Sequence, residues 1–121
     1  MTRWLDGSAD PAAASIRAEF EAGKVAIVVP GLLAIELLNV AARQWHWNEA
    51  RLAYLVDQLE DTRFDVSEPP LHRVAHWTAL GLTAYDATYV ALAEERRVPL
   101  ITADREILAI AGVIAQPVSS A

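Results

Sequence analysis

The protein has 121 residues, of which 54% are apolar, 16 acidic and 10 basic, giving a net charge of −6. That length fits one domain spanning residues 1–121, able to bury roughly two-thirds of the surface its unfolded chain exposes, and the apolar content argues against disorder. The absence of Cys excludes disulfides, zinc ribbons and thiol catalysis, and the acid excess disfavours a broad basic face that grips duplex DNA through its phosphates.

In chain order, Asp10-Pro11 is a cap followed by a first-turn proline, and Ile16 and Phe20 then share a helix face that Gly23 closes. Val25-Ala26-Ile27-Val28-Val29 is a continuous run with the composition of a strand buried on both sides. Pro30-Gly31 turns the chain into a helix from about Leu32 to Gln44. Asn48 caps the next helix, whose apolar stripe is Leu52, Leu55, Val56 and Leu59. Phe64-Asp65-Val66 is a short, weak strand. Pro69-Pro70 opens a helix that ends at Gly81, and Thr83 starts another that runs to about Arg96. Val98-Pro99-Leu100-Ile101 is the clearest second strand. Asp104 caps a short helix to about Ile110, and Gly112 to Ala115 reads as a last, edge strand.

Strands alternating with helices indicate an α/β fold with a parallel sheet covered by helices. The longest apolar run, Val25 to Ile35, is broken by Pro30-Gly31 and falls short of the ~20 residues of a membrane span. Arg3, Asp6 and Asp10 leave no apolar stretch for a signal peptide, so the cytoplasm is the default location. The helix from Pro11 has no good strand in front of it, because Met1 to Leu5 is too short and too mixed.

Three acids stand out. Glu36 sits inside Leu33-Ala34-Ile35-Glu36-Leu37-Leu38, where a buried carboxylate needs a cation, a proton or hydrogen-bond donors; a place on the helix's solvent face is the plainer alternative. Asp86 follows Thr83 by three residues, the spacing of a capping box, and is also a carboxylate presented from a helix's first turn. Asp104 follows strand Leu100-Ile101 in Thr102-Ala103-Asp104. It reads either as an N-cap or as a group placed beyond the strand's carboxyl end, where open α/β sheets bind ligands; Thr102 offers a hydroxyl beside it. Glu36, Asp86 and Asp104 can converge on one sheet edge. Their mutual repulsion is relieved by a divalent cation, and hard oxygen donors without His or Cys select magnesium or manganese. Such an ion binds a phosphodiester oxygen and generates hydroxide from water.

The stretch Gly81-Leu82-Thr83-Ala84-Tyr85-Asp86-Ala87-Thr88-Tyr89-Val90-Ala91-Leu92-Ala93-Glu94, with Pro99-Leu100-Ile101-Thr102-Ala103-Asp104, resembles the C-terminal half of PIN domains. It is most similar to the VapC toxins of bacterial toxin–antitoxin pairs. Pro30 through Asn39, with Glu36 and Asn39 on one helix, resembles the family's second acidic segment. The resemblance runs from about Leu5 to Ala115. It implies a three-layer α/β/α fold and a magnesium-dependent endoribonuclease that cuts RNA, often transfer RNA, with manganese as an alternative ion. It also implies an antitoxin partner that blocks the acidic pocket, and a homodimer; DNA is not the expected substrate. Glu36, Asp86 and Asp104 match the family's metal-binding acids, and Thr102 its supporting hydroxyl. The family begins with a central strand ending in Asp. Arg3-Trp4-Leu5 looks like the end of the helix that follows it, so that strand and acid are expected to be missing, and the chain to be destabilised, rearranged or completed by another chain. A degenerate module that binds an antitoxin or a homologous subunit without cutting RNA is therefore the alternative.

His72 and His76 have a spacing that holds zinc, but without a third ligand a surface stripe is the simpler reading. Trp45, Trp47 and Trp77 suit either base stacking or, preferably, an interface with a partner. Arg96-Arg97 suits a helix C-terminus, and Arg43, Arg51 and Arg105 are further candidates to meet phosphates.

Overall fold

The computed structural model describes residues 27–102 and 104–117. Its elements are β1 (Val28–Val29), α1 (Leu32–Arg43), α2 (Glu49–Asp61), β2 (Asp65–Val66), α3 (Leu71–Ala79), α4 (Ala84–Arg96), β3 (Leu100–Thr102), α5 (Arg105–Ile110) and β4 (Ala115–Pro117). Every element expected from Pro30 onward is present. The last strand is displaced toward the C-terminus, because Ala115, Gln116 and Pro117, rather than Gly112 to Ala115, take up the ladder beside β3. The expected helix from Pro11, its stop at Gly23 and the question of a preceding strand lie outside the described residues.

The strands pair in parallel, β1 with β2 (Val28 opposite Asp65) and β3 with β4 (Leu100 opposite Ala115). Among the described residues these are two separate two-stranded sheets. Helix α4 packs against a strand of each, β1 and β3. The parallel pairing with helical crossovers is the α/β architecture that the strand–helix alternation predicts.

Helix α4 is the centre of the packing among the described residues. Ala87, Tyr89, Val90, Ala91, Leu92 and Ala93 are all buried, so the helix is covered on nearly every side, as its run of small and apolar residues dictates. Its alanines let the strands and α3 approach closely. Trp77 of α3, Leu100 of β3 and Ile107 of α5 complete this main core. Trp77 is therefore a core residue and not part of an exposed aromatic patch. Its indole N–H donates to Glu94 Oε1 at 3.2 Å, which satisfies the polar atom that burial brings with it. A second, smaller core joins Val29, Leu33 and Leu37 to the half-buried Leu55 and Leu59 of α2.

The helix ends follow from local chemistry. Asn48 Oδ1 accepts from the Arg51 N–H (3.0 Å) and Thr83 Oγ1 from the Asp86 N–H (3.1 Å), satisfying donors that the first helical turn leaves open. Gly81 follows α3 at φ +116°, a backbone region that strains any residue with a side chain, so the tight reversal between α3 and α4 depends on glycine there. At its other end α4 is tied to β2 by an ion pair between Arg96 Nη2 and Asp65 Oδ2 at 2.6 Å.

Candidate active site

Glu36 lies in the second turn of α1, between the exposed Ile35 and the fully buried Leu37. Because successive helical side chains are turned by about 100°, one residue can face the core, the next the boundary and the next solvent. Glu36 takes the boundary position and is half-buried. The Tyr89 hydroxyl of α4 donates a hydrogen bond to its Oε1. The carboxylate is thus neither a free surface charge nor an unpaired buried one; a donor from a second helix holds it.

Asp86 belongs to the first turn of α4, three residues before Tyr89, so the two share a helix face. It too is half-buried. Its backbone N–H bonds the Thr83 hydroxyl, which is one half of a capping box. The reciprocal bond, from the Thr83 N–H to the Asp86 carboxylate, is absent among the described residues. The cap therefore accounts for Thr83 and leaves the Asp86 carboxylate for other partners. Its charge is felt at Tyr89: burial, then the bond to Glu36, then the charges of Glu36 and Asp86 raise the Tyr89 hydroxyl well above its ordinary value of 10.0. The phenol is a buried donor bonded to the carboxylate from α1.

Asp104 is placed differently. It is the N-cap of α5, and its Oδ1 accepts from the Glu106 N–H (2.9 Å) and the Ile107 N–H (3.1 Å). Thr102, the last residue of β3, is buried, and its Oγ1 accepts from the Asp104 N–H at 3.0 Å. The hydroxyl thus fixes the turn that presents Asp104 beyond the carboxyl end of β3. Of the four residues singled out in the sequence, Glu36 is bonded to Tyr89 and Asp86 lies one turn before Tyr89 on α4, while Thr102 and Asp104 form one turn with Asp104 directed at the start of α5. Among the described residues no group of three or more His, Cys, Asp or Glu is arranged to hold a metal ion. The donor chemistry, carboxylates and hydroxyls without nitrogen or sulfur, fits a hard divalent cation.

Tyr89 carries no obvious signal in the sequence, where it reads as one more aromatic on a buried helix. Its spacing from Asp86 was the available clue. His72 and His76 are both exposed, and His76 makes an edge contact with Trp77 (centroids 5.2 Å apart). Trp45 and Trp47 lie beyond the end of α1 with their rings 5.3 Å apart, and the Arg51 guanidinium stands 4.4 Å over the Trp47 ring.

The PIN domain family model matches residues 2–113. The chain belongs to the PIN domain family. PIN domains are usually nucleases and typically bind divalent metals. This PIN domain is also similar to the crystal structure of PAE2754 from Pyrobaculum aerophilum, with 28% identity and a TM-score of 0.66 over 88% of this chain and 81% of that one. No curated protein matches it. No helix among the described residues is long and apolar enough to cross a membrane.

Proposed function

We propose that this PIN domain is a magnesium-dependent endoribonuclease, the toxin half of a toxin–antitoxin pair acting in the cytoplasm, with Glu36, Asp86 and Asp104 as its metal-binding acids and Thr102 as their support. The observation that carries the reading is the hydrogen bond from the buried Tyr89 hydroxyl of α4 to Glu36 of α1, with Asp86 one turn before Tyr89 on α4. That contact ties the helix of Glu36 to the helix of Asp86, which supports the two carboxylates sharing one cation, and their half-buried setting removes part of the water that would otherwise screen them.

Magnesium bound there, with manganese as a substitute, would polarise a phosphodiester oxygen and lower the pKa of water. The chain's own contributions are separate and concrete. Glu36 and Asp86 supply negative charge that a dication neutralises. Tyr89 keeps its proton and donates to Glu36. Thr102 holds the backbone of Asp104, and Asp104 sets the start of α5 while keeping an oxygen available beyond its Oδ1 contacts. RNA, transfer RNA included, is the substrate class we favour. A protein antitoxin that covers the acids and a second copy of the chain are the partners.

A second reading is favoured by one specific observation: Asp104 Oδ1 is engaged by two backbone N–H groups of α5. In that reading the domain is a degenerate module that binds an antitoxin or homologous subunit without cutting RNA. A magnesium titration of RNA cleavage separates the two. The nuclease reading expects cleavage that rises with magnesium, stops with chelator and is lost in Glu36→Gln, Asp86→Asn and Asp104→Asn. No cleavage by the unaltered protein at any magnesium concentration supports the binding module.

A further inference from the structure

The structure contains a contact that the nuclease reading does not need in order to be stated but that bears on how it works. Tyr89 is 4% exposed and its ring belongs to the main core. Such a ring has little freedom, so its hydroxyl is a fixed point. Glu36 has three rotatable side-chain bonds and stands, half-buried, on a different helix. The bond from the Tyr89 hydroxyl to Glu36 Oε1 therefore runs from a rigid donor to a flexible acceptor. It leaves the second carboxylate oxygen and the remaining lone pair of Oε1 unclaimed by this donor.

We infer that Tyr89 is a positioning residue: it clamps the Glu36 carboxylate of α1 in the orientation from which it shares a divalent cation with Asp86 of α4. The inference rests on the metal-dependent nuclease reading given above. Three features support it. Asp86 and Tyr89 are three residues apart on one helix, so the clamp and the second carboxylate are delivered by the same rigid element. The donor is a phenol, which gives one hydrogen bond and brings no positive charge to compete with a cation. Carboxylates that bind metals are commonly hydrogen-bonded by a neighbour that orients them, and loss of that neighbour costs 10–100-fold in metal affinity. A merely structural bond between α1 and α4 would affect stability and leave ion affinity untouched.

The test uses the full chain and manganese alone as the probe. Wild type, Tyr89→Phe, Glu36→Gln and the double variant are melted without metal and titrated with Mn²⁺ by calorimetry without RNA; cleavage is then measured against ion concentration. Tyr89→Phe keeps the ring and removes only the donor. It is expected to remain folded, to bind Mn²⁺ roughly 10–100-fold more weakly, and to regain most of its cleavage rate at saturating ion, so that the ion's apparent KM moves more than kcat. Because Tyr89 acts through Glu36, adding Tyr89→Phe to Glu36→Gln should weaken Mn²⁺ binding no further. Wild-type affinity in Tyr89→Phe, or a further tenfold loss in the double variant, overturns the inference while the nuclease reading stands. Absence of both Mn²⁺ binding and cleavage in the wild type overturns the nuclease reading itself, and this inference with it. Should Tyr89→Phe fold poorly, the comparison of Glu36→Gln with the double variant in folded material at low temperature decides the matter.

Discussion

Asp104 carries two readings, cap and catalytic acid, and a pair of substitutions separates them. Its Oδ1 accepts from two backbone N–H groups, of Glu106 and Ile107, at 2.9 and 3.1 Å. Asp104→Ala removes the acceptor and the charge. Loss of a capping side chain costs about 1 kcal/mol, and loss of a negative charge at a helix N-terminus adds about 0.5 kcal/mol, the lower range being apt for a six-residue helix. For a domain of this size ~1.5 kcal/mol lowers Tm by about 5 °C. Asp104→Asn retains an oxygen that can accept both bonds, since Asn caps helices as well as Asp, so only the charge is lost and Tm should fall by about 2 °C. If the acid also binds the metal, Asn is as damaging to cleavage as Ala, because a neutral amide is a poor ligand for magnesium. Thermal melting by circular dichroism and cleavage of a labelled RNA at saturating magnesium give the two numbers. The expected pattern is unequal stability with equal loss of cleavage. Cleavage by Asp104→Asn at the wild-type rate would show that the residue only caps α5 and would refute its assignment as a metal-binding acid.

Other outcomes follow from the same structure. Leu37→Ala deletes one of the largest fully buried side chains, from a small core that can partly collapse, so a loss of about 2–3 kcal/mol in urea unfolding is expected; under 1 kcal/mol would mean that this cluster is not a packed core. Thr83→Ala should cost about 1 kcal/mol through the lost cap on α4, and should also reduce cleavage if that first turn presents Asp86 to a metal, a combination checked by melting and activity together. Arg96→Ala breaks an exposed ion pair and should change stability by no more than about 1 kcal/mol, less at high salt, as urea unfolding at two ionic strengths would show. Tyr89 makes stability fall at alkaline pH. Its hydroxyl is held protonated in the folded state but ionises near pH 10 when unfolded, so its contribution is intact below about pH 10 and declines above it, by up to about 1.4 kcal/mol per pH unit; urea unfolding at pH 9, 10 and 11 should show a shallower decline in Tyr89→Phe than in wild type.

Much of the architecture was legible because it rests on local rules. Asn48, Thr83 and Asp104 announce their helices as side chains that accept from open N–H groups, and each does so in the structure. The β-branched Val28-Val29 and the run Leu100-Ile101 announce strands. The edge strand was less legible: Gln116 and Pro117 carry no strand signal and join the ladder because β3 offers them a partner. Tertiary contacts explain the other differences. Trp77 reads in the sequence beside Trp45 and Trp47 as a stacking or interface residue, yet α3 folds onto α4, buries it and brings its indole N–H to Glu94. The site was legible as residue types and not as an arrangement. Glu36 stands out as an acid in an apolar run, but the residue that accommodates it, Tyr89, is 53 positions away. No periodicity connects them; only the packing of α4 in the centre of the domain does. Asp104, by contrast, is explained locally by its cap, and its place in a metal site depends on a reach that spacing does not encode.

The most direct test of the proposed metal centre is an anomalous-scattering map from crystals grown with manganese. A peak within coordination distance of carboxylate oxygens from Glu36, Asp86 and Asp104 is the expected result. Full-occupancy manganese elsewhere, with no peak beside these three acids, would contradict the account.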